Sequence, residues 1–511
     1  MCDYEVGVGV LESRQGIARK FNADVNYTGG YCAHPTNPSR IIDIDTDDTG
    51  RVGYFDFKTG TRGYYASGAH PTGLISNKAR PLGFEKKVFF FFEGDAPIVF
   101  DGTTTAAVGF TGPTLTNLVG GATFKGHIWV FEHQSQSAWF HPTLAGINGA
   151  LTEFPMARLT TDNGVLMCAF RFTLSSGLQT QSLFCFVFDT GEVFTYAGDY
   201  PGGTAGWNLV GSAKIGAPLG YQSIIEADGD VMVLTRSGVV SIRDLFSVAG
   251  GDSMAASKTV EIDKYWQQLI RGIEALDPAT TYDPRTALLS NINGAYHQTL
   301  KRVVIFAPRF LRPTVVTDGE LGFEIETAKK VTSALVFDKS ASAWYVIKLP
   351  EFNEINHTMV ISSYYSPRYD SIMFGTNDVA NESGYRLWEP GQYRDRIDSS
   401  RYRAIEPELR GAIVSSKQNL KCSGVLLGHS AQAAIKGLVE CRLQTEFGRY
   451  VSEAATKPSE DGVSIDTFNV GAESKSIQAI LTLPAPDDGT MTKPHQIIDI
   501  SMLLEQGGTL G

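Results

Sequence analysis

Leu183–Ile242 reads LFCFVFDTGEVFTYAGDYPGGTAGWNLVGSAKIGAPLGYQSIIEADGDVMVLTRSGVVSI, and this stretch decides the fold class. It contains two hairpins joined by a Gly/Pro-rich segment. Leu183–Phe188 pairs with Val193–Tyr196 around Asp189-Thr190-Gly191. Val231–Thr235 pairs with Val239–Ile242 around Arg236-Ser237-Gly238. The glycine at each turn supplies the positive φ that a tight hairpin needs. A strand with one wet face alternates apolar and polar residues. Leu183–Phe188 is apolar on both faces, so the reading places it between two other layers.

Working outward, hairpin signals recur. Tyr54–Phe57 turns at Lys58-Thr59-Gly60 into Tyr64-Tyr65. Val88–Phe92 precedes Ile98–Phe100 and a turn at Asp101-Gly102. The run Phe124–Phe131 precedes Ala138–Phe140, and Leu166–Phe172 leads into the first hairpin above. Later come Arg302–Ala307, Ala334–Phe337 with Trp344–Ile347, and Ser371–Phe374 with Tyr385–Trp388. The turn centres lie about 35–60 residues apart, and a β-propeller blade takes ~40–50 residues. From spacing alone, a propeller and a sandwich or barrel of unrelated hairpins are equally consistent. Helix signals are scarce. Ser257–Ile273 carries Val260, Tyr265, Trp266, Leu269 and Ile273 near helical spacing, with Asp277-Pro278 to end it. Arg401–Gly511 is less aromatic, with β-like runs at Gly424–Leu427 and Ile477–Leu483 and a polar loop at 457–462.

Composition narrows the function classes. The 511 residues suffice for one large domain or two to three ordinary ones. Gly is frequent at 53 residues, as a turn-dense β-protein requires. The net charge of −11 argues against a basic surface gripping phosphates. No apolar run reaches the ~18–20 residues of a membrane helix. The opening MCDYEVGVGVLESRQG has early acidic residues and no apolar core of signal-peptide length, so export by that route is not expected. Cys2, Cys32, Cys168, Cys185, Cys422 and Cys441 are widely spaced without a CxxC, which reads as reduced thiols of a cytoplasmically made protein. Cys168 and Cys185 fall in apolar strand patterns and read as core.

Chemistry-bearing motifs are few. Asp45-Thr46-Asp47-Asp48-Thr49-Gly50 followed by Asp56 has calcium-loop offsets. It falls short in a neutral fifth position, a short carboxylate at the twelfth, and no flanking helices. The alternative is an acidic turn. His127, His133 and His141 lie six and eight residues apart, but a turn near Ser135–Ser137 would separate them, so they read as surface or packing residues. No GxSxG, HExxH, P-loop or dinucleotide glycine pattern occurs. We therefore expect no catalytic residue, no metal, no cofactor and no enzyme activity.

A longer pattern is more specific. It comprises Phe100-Asp101-Gly102-Thr103, then Phe124–Phe131, then Gly191-Glu192-Val193 through Tyr196, Gly198 and Pro201. Trp207, Leu209-Val210-Gly211 and Ile215-Gly216-Ala217-Pro218-Leu219-Gly220 follow, and then Gly229–Ile242. In this order the segments resemble the tail nozzle, or tail-tube, proteins of short-tailed (podovirus-type) bacteriophages. The likeness covers roughly 90–390, with the 257–273 helix and the Trp344 strand in the expected order.

The resemblance implies a mainly β protein: a propeller of about six to seven blades, with room for an incomplete one, plus additional β-rich domains and few helices. It implies a structural virion protein made in a bacterial host's cytoplasm. That protein would form a hexameric ring below the portal and adaptor, contact tail fibres or other tail proteins, and meet the host cell surface during infection. Viral DNA would pass through without specific binding. The expected division is an N-terminal β-region, 1–80, for docking; a propeller, 81–400; and a C-terminal β-region, 401–511. The alternative is a carbohydrate-binding or glycan-processing propeller.

Overall fold

A computed structural model gives the architecture. It describes backbone and side chains for residues 30–44, 52–65, 79–92, 94–174, 180–204, 206–247, 251–275, 283–284, 287–307, 334–347 and 362–375, with Val360, Leu387, Cys441 and Leu443, and further strands as backbone alone.

Seven sheets follow one another along the chain, antiparallel but for one parallel pair in the seventh. Their first strands are Thr28–Ala33, Arg80–Phe84, Leu118–Phe124, Leu166–Ser176, Ile224–Ala227, Asn293–His297 and Met359–Ser366. Six sheets carry four or more strands and the fifth carries three. Each sheet packs on its neighbours in sequence, and the seventh returns to the first. This is a closed β-propeller, with few helices.

Alternating residues of single strands build the ring. Phe184, Phe186 and Phe188 join the core shared with the third blade, while Leu183, Cys185 and Val187 join the core shared with the fifth. All six are at most 2% exposed. Likewise Phe89 and Phe91 face the third blade, and Val88, Phe90 and Phe92 face the first. Each fully buried Phe contributes roughly 1.5–3 kcal/mol. A strand apolar on both faces is thus the local consequence of standing between two blades.

Closure uses the start of the chain. Ala18–Ala23 inserts as a fourth strand beside Glu382–Leu387, with Ala18 opposite Arg386. The sheet continues through Arg394–Arg396 and Tyr402–Ala404. The ring therefore begins upstream of residue 81, the start expected from sequence, and takes in the sheet of 28–64. The other strands of both chain ends share one nine-stranded sheet, in which Val10–Ser13 pairs with Gln496–Gln506. The run read at 424–427 lies in its strand Val414–Ser430, and the run read at 477–483 lies in Ala472–Thr482 up to Thr482. The loop 457–462 lies outside the described residues.

Two local expectations change. The run Phe124–Phe131 is not one strand: Lys125 and Gly126, at φ 45° and 78°, make a two-residue hairpin turn. The helix also starts later than Ser257, at Asp263, and runs to Ala275. Residues 256–258 instead extend the fifth sheet: Ser241 N donates to Ala256 O (3.2 Å) and Lys258 N to Val239 O (2.8 Å). Val260 is 58% exposed. The helix buries Trp266, Leu269, Ile270 and Ile273 and, with 256–258, takes the place of a fourth strand. The Asp277-Pro278 stop lies outside the described residues. A short helix, Ile242–Ser247, was not anticipated. Its signal was present, since Ser241 Oγ accepts from Asp244 N (3.1 Å) in the manner of a helix cap.

Candidate functional site

The first strands converge on an axial cavity of ≈ 200 Å³. Small residues let the strands crowd together. At Gly121 a Cβ would lie 2.7 Å from Trp129 O and 3.0 Å from Leu82 Cδ2. Arg80 is the one charged residue lining the cavity. Its Cζ lies 5.1 Å from the Tyr221 ring centroid, a cation–π approach. The Tyr221 hydroxyl shares a 2.7 Å hydrogen bond with His133 Nδ1. Asn293 Nδ2 donates to Val360 O (2.8 Å), and Ser363 Oγ donates to Asn293 Oδ1 (2.9 Å), joining the sixth and seventh blades. Tyr31 N donates to Ser362 Oγ (3.0 Å), joining the seventh to the first. The axis is thus a polar-laced seal.

A second, polar cleft of ≈ 290 Å³ lies where the first two strands of the fourth blade meet the first turns of the fifth and sixth, with Arg171, Glu226, Asp228, Asp230 and Gln298 in its walls. Thr173 N donates to Gly229 O (2.9 Å) across two blades. Asp228 accepts from the Tyr296 hydroxyl and from Lys301 Nζ (2.9 Å). Burial opposes charge on Asp228, but these donors outweigh it and hold the carboxyl below its ordinary range. Burial and the facing carboxylate push the Tyr296 phenol up. Burial also pulls the Lys339 ammonium down. Asp230 accepts from Ser241 Oγ (2.7 Å) and Arg243 N (2.9 Å). Asp228 thus ties the fifth blade to the sixth, while Asp230 braces the fifth internally.

Of the residues singled out from sequence, His127 and His141 are neighbours in the third blade and the others are dispersed. His127 Nδ1 lies 2.8 Å from His141 O, and its ring lies 4.3 Å from Tyr200. His141 Nδ1 accepts from Thr143 N (3.1 Å), and its Nε2 donates to Asn148 O (2.8 Å). Of the calcium-like loop, Asp56 accepts from Arg40 Nε (3.0 Å) and Lys58 N (3.0 Å). Residues 46–51 and the Asp45 side chain lie outside the described residues. Among the described residues no three His, Cys, Asp or Glu side chains gather as a metal site. Cys168 and Cys185 are buried, and burial pushes the Cys168 thiol up to about 12.

A shared blade signature does exist, and the sequence reading missed it. Phe55-Asp56, Phe100-Asp101 and Phe337-Asp338 each end a third strand. In each, Asp Oδ1 accepts from a backbone N–H two residues on: Lys58 (3.0 Å), Thr103 (2.8 Å) and Ser340 (2.9 Å). Phe140-His141 puts an imidazole in the same role. A basic residue opens the matching second strand in two blades, giving Arg40–Asp56 (3.0 Å) and Arg302–Asp338 (3.1 Å). An aspartate two residues before an N–H donor is a recognisable turn device.

His34 makes a testable variant of this cap. Its Nδ1 accepts from Thr36 N (3.1 Å) and Asn37 N (2.8 Å), which needs the ring neutral. Burial, helped by the nearby Arg40 charge, lowers the imidazole from 6.5 to about 4. Below pH ~6.5 the unfolded chain takes up a proton that folded His34 refuses. Its contribution is therefore complete above that pH and is lost as pH falls toward 4. With solvent screening this amounts to about 2 kcal/mol. Urea unfolding of His34→Gln at pH 7, 5.5 and 4 should give a flatter acid limb than wild type. Identical slopes would contradict the assignment.

No family model matches the sequence, and neither does any curated protein. Among solved structures, those the chain is similar to include the following three. Raptor of Chaetomium thermophilum has TM-score 0.40 at 11% identity, with 74% of this chain and 29% of that one covered. The C-terminal WD40 domain of Sif2 has TM-score 0.41 at 9% identity, covering 74% and 99%. The Dos1 propeller has TM-score 0.41 at 12% identity, covering 77% and 98%. The chain thus spans under a third of Raptor.

Proposed function

We propose that this chain is a structural virion protein, the nozzle of a short-tailed phage, assembled as a ring around the DNA path. The observation that carries the reading is the ordered set of motifs from Gly191 to Ile242. They build the two outer strands of the fourth blade, Glu192–Gly198 and Trp207–Lys214, and the Asp230–Ser241 hairpin of the fifth. The resemblance thus falls on consecutive strands of two neighbouring blades.

The fold constrains how such a conduit works. A cavity of ≈ 200 Å³ has room for on the order of ten waters. A duplex whose major groove alone is ~12 Å wide cannot thread it. The DNA path must therefore lie between copies, walled by outer surfaces. A net charge of −11 suits that role, because acidic walls repel phosphates. Head-to-tail contacts that close by rotation give a ring.

Gold-labelled antibody against the chain, applied to purified particles of the encoding phage, should mark the tail. The isolated protein should not shift duplex DNA at 10 μM, a concentration at which ordinary non-specific DNA binders with Kd of about 10⁻⁶ M engage. Label on the capsid or fibres, or absence of the chain from particles, would refute the reading. Tight glycan binding would favour the carbohydrate alternative.

A further inference from the structure

An apolar groove of ≈ 330 Å³ opens at the rim between the helix Asp263–Ala275 and the sixth blade. Ile262, Tyr265, Leu335, Trp344 and Val346 line it. Tyr265 and Trp344 are only half-buried, and Val260, beside the groove-lining Glu261 in sequence, is 58% exposed. Trp344 is held in place because its Nε1 donates to Lys258 O (2.6 Å). The outer wall, Ala343–Lys348, is the edge strand of its sheet.

One segment already approaches that edge. The strand Tyr4–Gly7 lies against Ala343–Lys348, and it is the first strand of the nine-stranded sheet. We propose that the groove is the docking seat for the hairpin Tyr4–Ser13 of the same chain, holding the terminal sheet on the sixth blade. The sequence Tyr4-Glu5-Val6-Gly7 alternates, so its two apolar residues share one strand face. An aromatic-lined apolar groove suits that face and not the face carrying Glu5. The same stretch of chain continues into Ala18–Ala23, which completes the seventh blade. The strands Tyr4–Gly7 and Ala18–Ala23 thus reach two blades, and the seat does not depend on the nozzle reading.

Hydrogen exchange of the full chain tests this. Trp344→Ala and Tyr265→Ala should each speed exchange at Tyr4–Gly7 and Val10–Ser13 by about tenfold, with Leu183–Phe188 unchanged. Trp344→Phe keeps the apolar wall without the bond to Lys258 O, and should restore wild-type exchange at Tyr4–Gly7. Unchanged exchange in both alanine variants overturns the proposal. If Trp344→Ala also exposes Leu183–Phe188, Tyr265→Ala decides. Crosslinks between Tyr4–Gly7 and Ala343–Lys348 of differently labelled copies would show that a second copy supplies the hairpin, and would overturn the intramolecular seat.

Discussion

Phe186→Asp should abolish soluble folding. The side chain is fully buried, with its ring centroid 5.6 Å from that of Trp129, 5.8 Å from Phe154 and 5.8 Å from Tyr196. Removing a buried Phe costs about 3–5 kcal/mol, and placing a carboxylate among those rings adds several more. The sum rivals the 5–15 kcal/mol that holds a typical domain folded. Phe186→Leu, which keeps the site apolar, should cost only about 1–2 kcal/mol. Val210→Asp, on the same blade but 53% exposed, should change stability by less than ~0.5 kcal/mol. Solubility after expression and thermal melting separate the three. A soluble Phe186→Asp protein with wild-type melting would mean that this strand does not lie between two blades.

The second large effect belongs to the turn cap of the sixth blade. Asp338 holds Arg302 at 3.1 Å, with both side chains under a tenth exposed. Its other oxygen accepts from Ser340 N (2.9 Å) and Ala341 N (3.0 Å). Asp338→Ala removes the carboxylate facing a buried guanidinium and the acceptor of two turn N–H groups. The expected loss is about 4 kcal/mol, lowering Tm by about 10 °C. Asp338→Asn keeps an acceptor oxygen for the turn and should fall between. Equal melting of Asp338→Ala and wild type would show that the pair and its cap contribute nothing net. Asp101→Ala offers a contrast. It removes a similar cap from an exposed site, where solvent substitutes, and the loss should be smaller.

How much was legible in the sequence follows from how far each signal reaches. The doubly apolar strand Leu183–Phe188 and the Gly191 and Gly238 turns are local features, and they give the sandwiched hairpins directly. Ring closure is not local. Ala18 opposite Arg386 is a pairing that no window of periodicity contains, which is why the first blade was assigned to a separate region. The helix boundary was missed because 256–258 obeys a ladder with Val239–Ser241, and tertiary hydrogen bonds override spacing. The axial residues were invisible for a different reason. Gly121, Asn293 and Ser362 are small or polar residues in otherwise unremarkable strands, brought together only by seven-fold convergence. The Phe-Asp strand ends were visible and went unread because the third strands of the fourth, fifth and seventh blades do not end in the pair, so it recurs at no regular spacing.

The account's central claim is a propeller protein arranged as a ring about the DNA path of a phage tail. A cryo-EM reconstruction of the particle tests it most directly. The account predicts six copies beneath the portal and adaptor, each with a seven-sheet propeller closed by Ala18–Ala23, and the DNA path running between copies and not through any propeller axis. Density for this chain on fibres or on the capsid surface, or its absence from the particle, would contradict it.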